Sequence, residues 1–127
     1  MAESGIERAA RLAADLPQVE IALWYGKPAL KVAGKGFVGS GRVEGAIALP
    51  CPLESKAHLI ETQPGIFFET DHYKGWPWLL VRLDPIDDET LRHRIEVAWM
   101  LKAPRKLVRQ FEAASKGVKR GLEGIAG

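Results

Sequence analysis

One stretch of the chain, Thr70–Trp78, concentrates residue types that bind other molecules. It carries three aromatic rings, a histidine and a lysine around Gly75 and Pro77. Gly75 can adopt backbone angles closed to other residues, and Pro77 fixes its own φ and lacks an amide donor. Two runs that read as buried strands flank the stretch, so we predict a shaped loop held by a sheet. Its rings either line a binding site or cover one end of the core, and the sequence leaves both interpretations open.

A second set of candidates is cationic. Lys27 falls in a predicted break between two strands, Lys31 on the strand after it and Lys35 in the hairpin turn that follows. Residues 100–127 hold seven basic and two acidic side chains, whereas residues 1–99 hold 11 basic and 14 acidic ones. Arg105 and Lys106 belong to this basic end. Such an asymmetry favours phosphate binding, and a solvated helix face is the alternative.

Enzyme and metal chemistry fit the sequence less well. Cys51 lies between two prolines, without the basic or glycine-rich surroundings that lower a thiol pKa, so it reads as a small buried apolar residue. Asp71 and His72 are neighbours, and neighbours on an extended segment point apart, which makes a poor metal site. The sequence contains no phosphate loop, dinucleotide fingerprint or metal triad. We therefore expect no catalytic residue, no metal and no cofactor.

Length and composition set the class of protein. A chain of 127 residues fits one domain, and 46% apolar with 27% charged residues is ordinary for a soluble globular protein. The sequence shows neither a secretory signal nor an apolar run of membrane-spanning length, and its one cysteine agrees with a reducing compartment. We expect a cytoplasmic protein with no membrane partner and leave its oligomeric state open.

The first half of the chain is predicted to be a helix followed by a meander. Helical spacing of apolar residues predicts a helix over residues 3–15, and alternation predicts four antiparallel strands between residues 19 and 49. The loops between those strands are too short for parallel crossovers. Gly26-Lys27-Pro28 reads as a break between the first two strands, and Gly34 marks a hairpin turn.

A second helix is predicted after Pro52. Leu53, Ala57 and Ile60 share one of its faces, which we expect to pack inward, and the helix should end at about Gln63. The aromatic stretch then joins two further strands.

Two helices are predicted to complete the chain. Asp87 or Asp88 should cap the first of them, and its expected buried stripe is Leu91, Ile95, Ala98 and Trp99. The predicted order is helix, four strands, helix, two strands, two helices, an α+β fold with helices on one face of an antiparallel sheet. We expect residues 1–115 to form a single domain and residues 116–127 a flexible tail.

With its elements in this order, the sequence resembles the MmcQ/YjbR family of small bacterial proteins. The resemblance runs from about Leu16 to Phe111. It rests on Trp24–Val32, Lys35–Phe37, Ala98-Trp99, Ala103–Leu107 and above all His72–Leu83. It implies a fold similar to CyaY, the bacterial frataxin, with a double-wing arrangement from which DNA binding is inferred by analogy of fold.

The resemblance implies a non-enzymatic DNA-binding protein. The contacts that it implies are Lys27, Lys31, Lys35, His72, Tyr73, Lys74 and Trp76, with Arg105 and Lys106 as a second basic patch.

The alternative is a module that binds a small molecule or a protein partner through the loop 70–78. Its walls would be Trp24, Tyr73, Trp76 and Trp78, with Lys27 or His72 as polar groups. A concave aromatic pocket favours this alternative, whereas a convex ridge of lysines favours nucleic acid.

Overall fold

The protein, described here by a computed structural model over residues 3–114, has four helices and two small sheets. The elements in chain order are α1 (Gly5–Leu12), β1 (Val19–Trp24), β2 (Lys27–Val32), β3 (Lys35–Val38), β4 (Ala46–Pro50), α2 (Leu53–Thr62), β5 (Phe67–Phe68), a 3₁₀ turn (Asp71–Tyr73), β6 (Trp78–Arg82), α3 (Asp88–Lys102) and α4 (105–114). This order and the α+β class confirm the prediction.

The strands divide into two antiparallel sheets rather than one. The first has the order β1-β2-β3, and the second has the order β4-β6-β5. The predicted four-strand meander was therefore wrong in its last member, since β4 takes β6 as its neighbour. A single bridge between Gly39 and Ala48 connects the two sheets, with backbone hydrogen bonds of 2.8 and 2.9 Å.

Two tight turns shape the first sheet. Tyr25–Gly26 has φ values of 53° and 78°, and Ala33–Gly34 has 49° and 80°. Positive φ at both positions matches type I′ hairpins, whose twist suits the flanking strands. Lys27 and Pro28 therefore belong to β2 and do not break the strand as predicted. Pro28 faces Leu23 one position beyond the pair that closes the hairpin, where the backbone amide points away from β1, so proline costs no bond there.

The core lies between the helices and one face of the strands. Helices α1 and α3 pack on each other and against β2, β3 and β4. The largest fully buried side chains include Trp99, Phe37, Phe67, Leu30, Ile47, Leu49, Leu79, Leu91 and Ile95. The predicted stripe of α3 is confirmed, because all four of its residues are buried. Asp87 caps this helix by accepting a 2.7 Å hydrogen bond from the Thr90 amide.

Helix α1 is shorter than predicted and is fixed at its start and along one side. Ser4 and Glu7 form a reciprocal capping box, so the helix begins after Ser4 and ends at Leu12. Arg8 donates to Asp88 at 2.9 Å and to the carbonyl oxygens of Leu83 and Ile86. These bonds tie α1 to the connection between β6 and α3.

Helix α2 turns a different face inward from the one predicted. Leu53 is 51% exposed and Ala57 is exposed, whereas Lys56 is buried at 3% exposure. The predicted inward face was wrong for Leu53 and Ala57, because the ammonium of Lys56 has specific acceptors beneath the helix. Its third member, Ile60, does pack half-buried against the core.

The chain after α3 continues to cover the core. Leu107 is buried, and the ring of Phe111 packs edge-on against Trp99 at 5.1 Å between centroids. The tail predicted for residues 116–127 lies outside the described residues. Within residues 3–114, no helix has the length and apolarity needed to cross a membrane.

Candidate ligand-binding cleft

A cleft of about 910 Å³ opens on the side of the sheets that faces away from the core. Ala29, Ala48 and Trp78 line it, and each is followed directly by a residue of the core cluster. Because successive side chains of a strand point to opposite faces, the cleft lies on the face opposite the helices.

Three segments close around the cleft. The full lining is Trp24, Tyr25, Lys27, Pro28, Ala29, Gly39, Ser40, Gly41, Arg42, Ala48, His72, Tyr73, Trp76 and Trp78. The first hairpin, the turn after β3 and the loop before β6 supply all of these residues except Ala48 of β4 and Trp78 of β6. The structure thus brings together all four aromatic walls and both polar groups of the alternative prediction.

Trp24 forms the floor because glycines make room for its ring. A Cβ placed on Gly36 would lie 2.7 Å from Cε3 of Trp24, and one placed on Gly39 would lie 3.4 Å from Cζ3. The indole therefore lies directly against the backbone of β3. Its ring is 5.4 Å from Trp78 and 5.7 Å from Tyr25, so the aromatic rings form a continuous surface.

The loop before β6 is a chain of three short turns. The amides of Tyr73, Trp76 and Trp78 donate to the carbonyl oxygens of Thr70, Tyr73 and Trp76, at 2.9, 3.0 and 2.8 Å. Gly75 has φ of +79°, a region that favours glycine and that the turn requires here. The amide of Cys51 also donates to the carbonyl oxygen of Pro77 at 2.9 Å, which anchors the loop to the end of β4.

Lys56 supports this loop from below. Its Nζ donates to the carbonyl oxygens of Tyr73 and Trp76 at 2.8 and 2.9 Å and lies 2.8 Å from Oε2 of Glu69. An ammonium has three protons, so these three partners account for all of them.

The cleft carries positive charge at its rim. Lys27 and Arg42 are exposed lining residues, and neither has a carboxylate partner within 4 Å in residues 3–114. None of the lining residues is an aspartate or glutamate. His72 packs edge-on against Tyr73 at 4.8 Å. Lys102 places its Nζ 5.7 Å from the Trp78 ring centroid, within cation–π range.

The remaining residues of the predicted DNA contacts do not share this cleft. Lys27, which lines the cleft, pairs with Trp24 at the start of β2. Lys35, on β3, pairs with Val32 at the other end of β2. At about 3.3 Å per residue, roughly 17 Å of strand separates them. Lys31, between them, pairs with Glu20 of β1. Lys74, Arg105 and Lys106 are exposed outside the lining.

Cys51, the one cysteine of the sequence, is poorly placed for nucleophilic chemistry. Cys51 is 1% exposed, and burial raises the pKa of its thiol, while the nearby Arg94 guanidinium opposes that shift. Residues 3–114 contain no group of three or more His, Cys, Asp or Glu side chains that could hold a metal ion.

Sequence reasoning assigned to this site neither Tyr25 and Arg42, which line the cleft, nor Lys56, which supports its loop. Arg42 follows Gly39-Ser40-Gly41, and an arginine directly after a glycine-rich turn is a usable signal. Lys56 was missed because its burial depends on carbonyl groups 17 and 20 residues away.

Comparison with known proteins agrees with this fold. The YjbR family model matches residues 14–101. Uncharacterized proteins of Mycobacterium bovis and Mycobacterium tuberculosis are 43% identical over 60 residues, which are 47% of this chain and 46% of each relative. The match therefore spans about half the length of these relatives.

A solved structure extends the likeness across the domain. The crystal structure of a Deinococcus radiodurans protein, with the family-model domain DUF419, has a TM-score of 0.63 and covers 78% of each chain. At 16% sequence identity, this likeness shows the fold alone. Since the family model covers most of the domain, the chain belongs to the YjbR family.

Proposed function

We propose that this chain is a non-enzymatic binding module whose site is the aromatic cleft. Its ligand is a flat ring joined to an anionic group. The observation that carries the proposal is one concave surface that holds four aromatic walls beside Lys27 and Arg42. A volume of about 910 Å³ suits a small organic ligand, since such sites typically measure about 300–1,000 Å³.

The two halves of this ligand follow from the chemistry of the lining. Indole and phenol rings offer flat apolar faces, and a planar ligand ring stacks on them. Lys27 and Arg42, which have no carboxylate within 4 Å in residues 3–114, favour an anion, and the lining contributes no carboxylate to repel it. Because Cys51 is buried and its thiol pKa is raised, a thiol nucleophile has no support here.

Single-stranded DNA is the second candidate, because each nucleotide combines a flat base with a phosphate. Tyr25 is 92% exposed and Trp76 is 63% exposed, so both rings are open to an unpaired base. The separation of Lys27 from Lys35 favours unpaired bases in the cleft over a ridge of lysines along a duplex. The likeness to CyaY and the double-wing arrangement stay predictions.

The test compares ligands and variants in one assay. Fluorescence anisotropy of a labelled oligothymidylate and of a labelled duplex would be measured at low and moderate salt, with adenosine 5′-monophosphate as competitor. The cleft variants are Trp76→Ala and Lys27→Ala. The matched controls are Lys31→Ala and Lys35→Ala, which remove the same charge outside the cleft.

The expected result is binding that the nucleotide competes away and that only the cleft variants weaken, by about tenfold or more, the scale of one lost base–aromatic stack. Duplex binding lost in the Lys31 and Lys35 variants would instead support the ridge of lysines. Absence of binding by all three probes at low salt would refute the nucleotide-like ligand.

A further inference from the structure

Lys56 is the one buried charged residue in the described part of the chain, and it does not line the cleft. A buried ammonium is costly unless hydrogen bonds satisfy it, so its partners have to be held in place. All three partners, Glu69, Tyr73 and Trp76, belong to the segment that leads into and forms the cleft loop.

Each of the two carbonyl oxygens that Lys56 contacts also accepts a hydrogen bond within the loop. The carbonyl oxygen of Tyr73 also accepts from the Trp76 amide, and that of Trp76 accepts from the Trp78 amide. Each oxygen therefore uses one lone pair on a turn of the loop and the other on Lys56. A change at Nζ acts on both turns at once, and these turns orient Tyr73, Trp76 and Trp78.

We infer that Lys56 is the positioning residue of the cleft: its buried ammonium holds the loop in the shape that presents the aromatic walls to a ligand. The inference rests on the proposed function for its binding consequence, whereas its effect on the loop is measurable without any ligand. It also explains why α2 leaves Leu53 and Ala57 exposed. Lys56 is the polar anchor of this helix, beside Leu59 and Ile60, which pack half-buried against the core.

The test uses Lys56→Met, which keeps most of the side-chain stem and removes the ammonium. Lys74→Met is the matched control, because Lys74 is an exposed loop residue outside the lining and carries the same charge. Amide hydrogen exchange of Tyr73, Trp76 and Trp78 would be measured without ligand. The amides of Leu79 and Leu80, on β6 at the centre of the second sheet, report whether the fold persists.

We expect Lys56→Met to speed exchange of the loop amides at least tenfold while the sheet amides stay protected. The affinity for oligothymidylate or adenosine 5′-monophosphate should fall at least tenfold, and Lys74→Met should change neither quantity. Glu69→Gln keeps both carbonyl bonds and should therefore change loop exchange much less than Lys56→Met does.

Unchanged loop exchange in Lys56→Met would overturn the inference, and so would a loosened loop with unchanged affinity. If no probe binds the wild type but loop exchange still speeds up in Lys56→Met, the proposed class of ligand is refuted. The inference that Lys56 fixes the shape of the loop is then still supported.

If the Lys56→Met protein does not fold, a measurement on the wild type replaces this test. In the wild type, the loop amides should then be protected to the same degree as those of α2. Loop amides that exchange freely beside a protected α2 would overturn the inference.

Discussion

Gly36→Ala should displace the ring of Trp24, which forms the floor of the cleft. A Cβ at this position would lie 2.7, 2.8 and 3.0 Å from three ring atoms of Trp24, where ordinary contacts begin at about 3.4 Å. The indole must move by several tenths of an ångström, and its neighbour Trp78, 5.4 Å away, restricts the direction of that movement. The substitution therefore tests the close packing of the Trp24 ring on the β3 backbone.

Two opposed effects set the change in the free energy of unfolding of Gly36→Ala. Overpacking in a well-packed site costs about 1–3 kcal/mol. Replacing glycine by alanine returns about 0.4–1 kcal/mol through the entropy of the unfolded chain, where the backbone conformation suits alanine. We expect a net loss of about 1–2 kcal/mol in the free energy of unfolding.

Gly39→Ala is the matched control. Its Cβ would lie 3.4 and 3.5 Å from the same ring, which is ordinary contact, so the unfolding free energy should be unchanged or slightly higher. Urea unfolding followed by circular dichroism measures both variants against the wild type. Equal stability of the two variants would refute the packing described for Trp24.

Other substitutions test the start of α3 and the buried thiol. The hydrogen bond from Arg8 holds the pKa of Asp88 below its ordinary value, and Arg11 adds to this. A carboxyl whose folded pKa is depressed adds stability above its unfolded pKa of about 3.9, and that stability is lost as the pH falls through the folded pKa. Asp88→Asn should therefore flatten the acid side of the plot of unfolding free energy against pH, and an unchanged slope would contradict the ion pair. Asp87→Ala should lower the unfolding free energy by about 1 kcal/mol through loss of the cap, measured by urea unfolding; no loss would argue against the cap. Cys51 should react with a disulfide reagent at pH 8 only slowly until urea unfolds the chain, because burial raises its pKa, and fast reaction of the folded protein would contradict its burial.

Local patterns in the sequence predicted local structure well. The stripe and cap of α3 were correct because both depend on spacing within one helix and on one side chain bonding to a nearby amide. The pairing of β4 with β6 was missed because a short apolar strand carries no signal that selects a distant partner. The α2 face was wrong for a similar reason, since the acceptors of Lys56 lie in a different segment.

The same contrast between local pattern and long-range pairing holds for the candidate site. Aromatic residues at Trp24, Trp76 and Trp78 marked the cleft because large rings beside glycine and proline are uncommon in a plain connection. The lysines were grouped by their closeness in sequence. The hairpin register then placed Lys27 at the start of β2 and Lys35, on β3, beside the other end of β2.

The four tryptophans offer the most direct test of the cleft as a binding site. Trp24, Trp76 and Trp78 line it, whereas Trp99 is buried in the core with its Nε1 bonded to the Pro17 carbonyl oxygen at 3.0 Å. Titration of ¹⁵N-labelled protein with adenosine 5′-monophosphate or oligothymidylate would follow all four indole N–H signals at once. The cleft account predicts saturable shifts of the three cleft signals with one dissociation constant and a stationary Trp99 signal. Binding that leaves the three cleft indoles unmoved would contradict it.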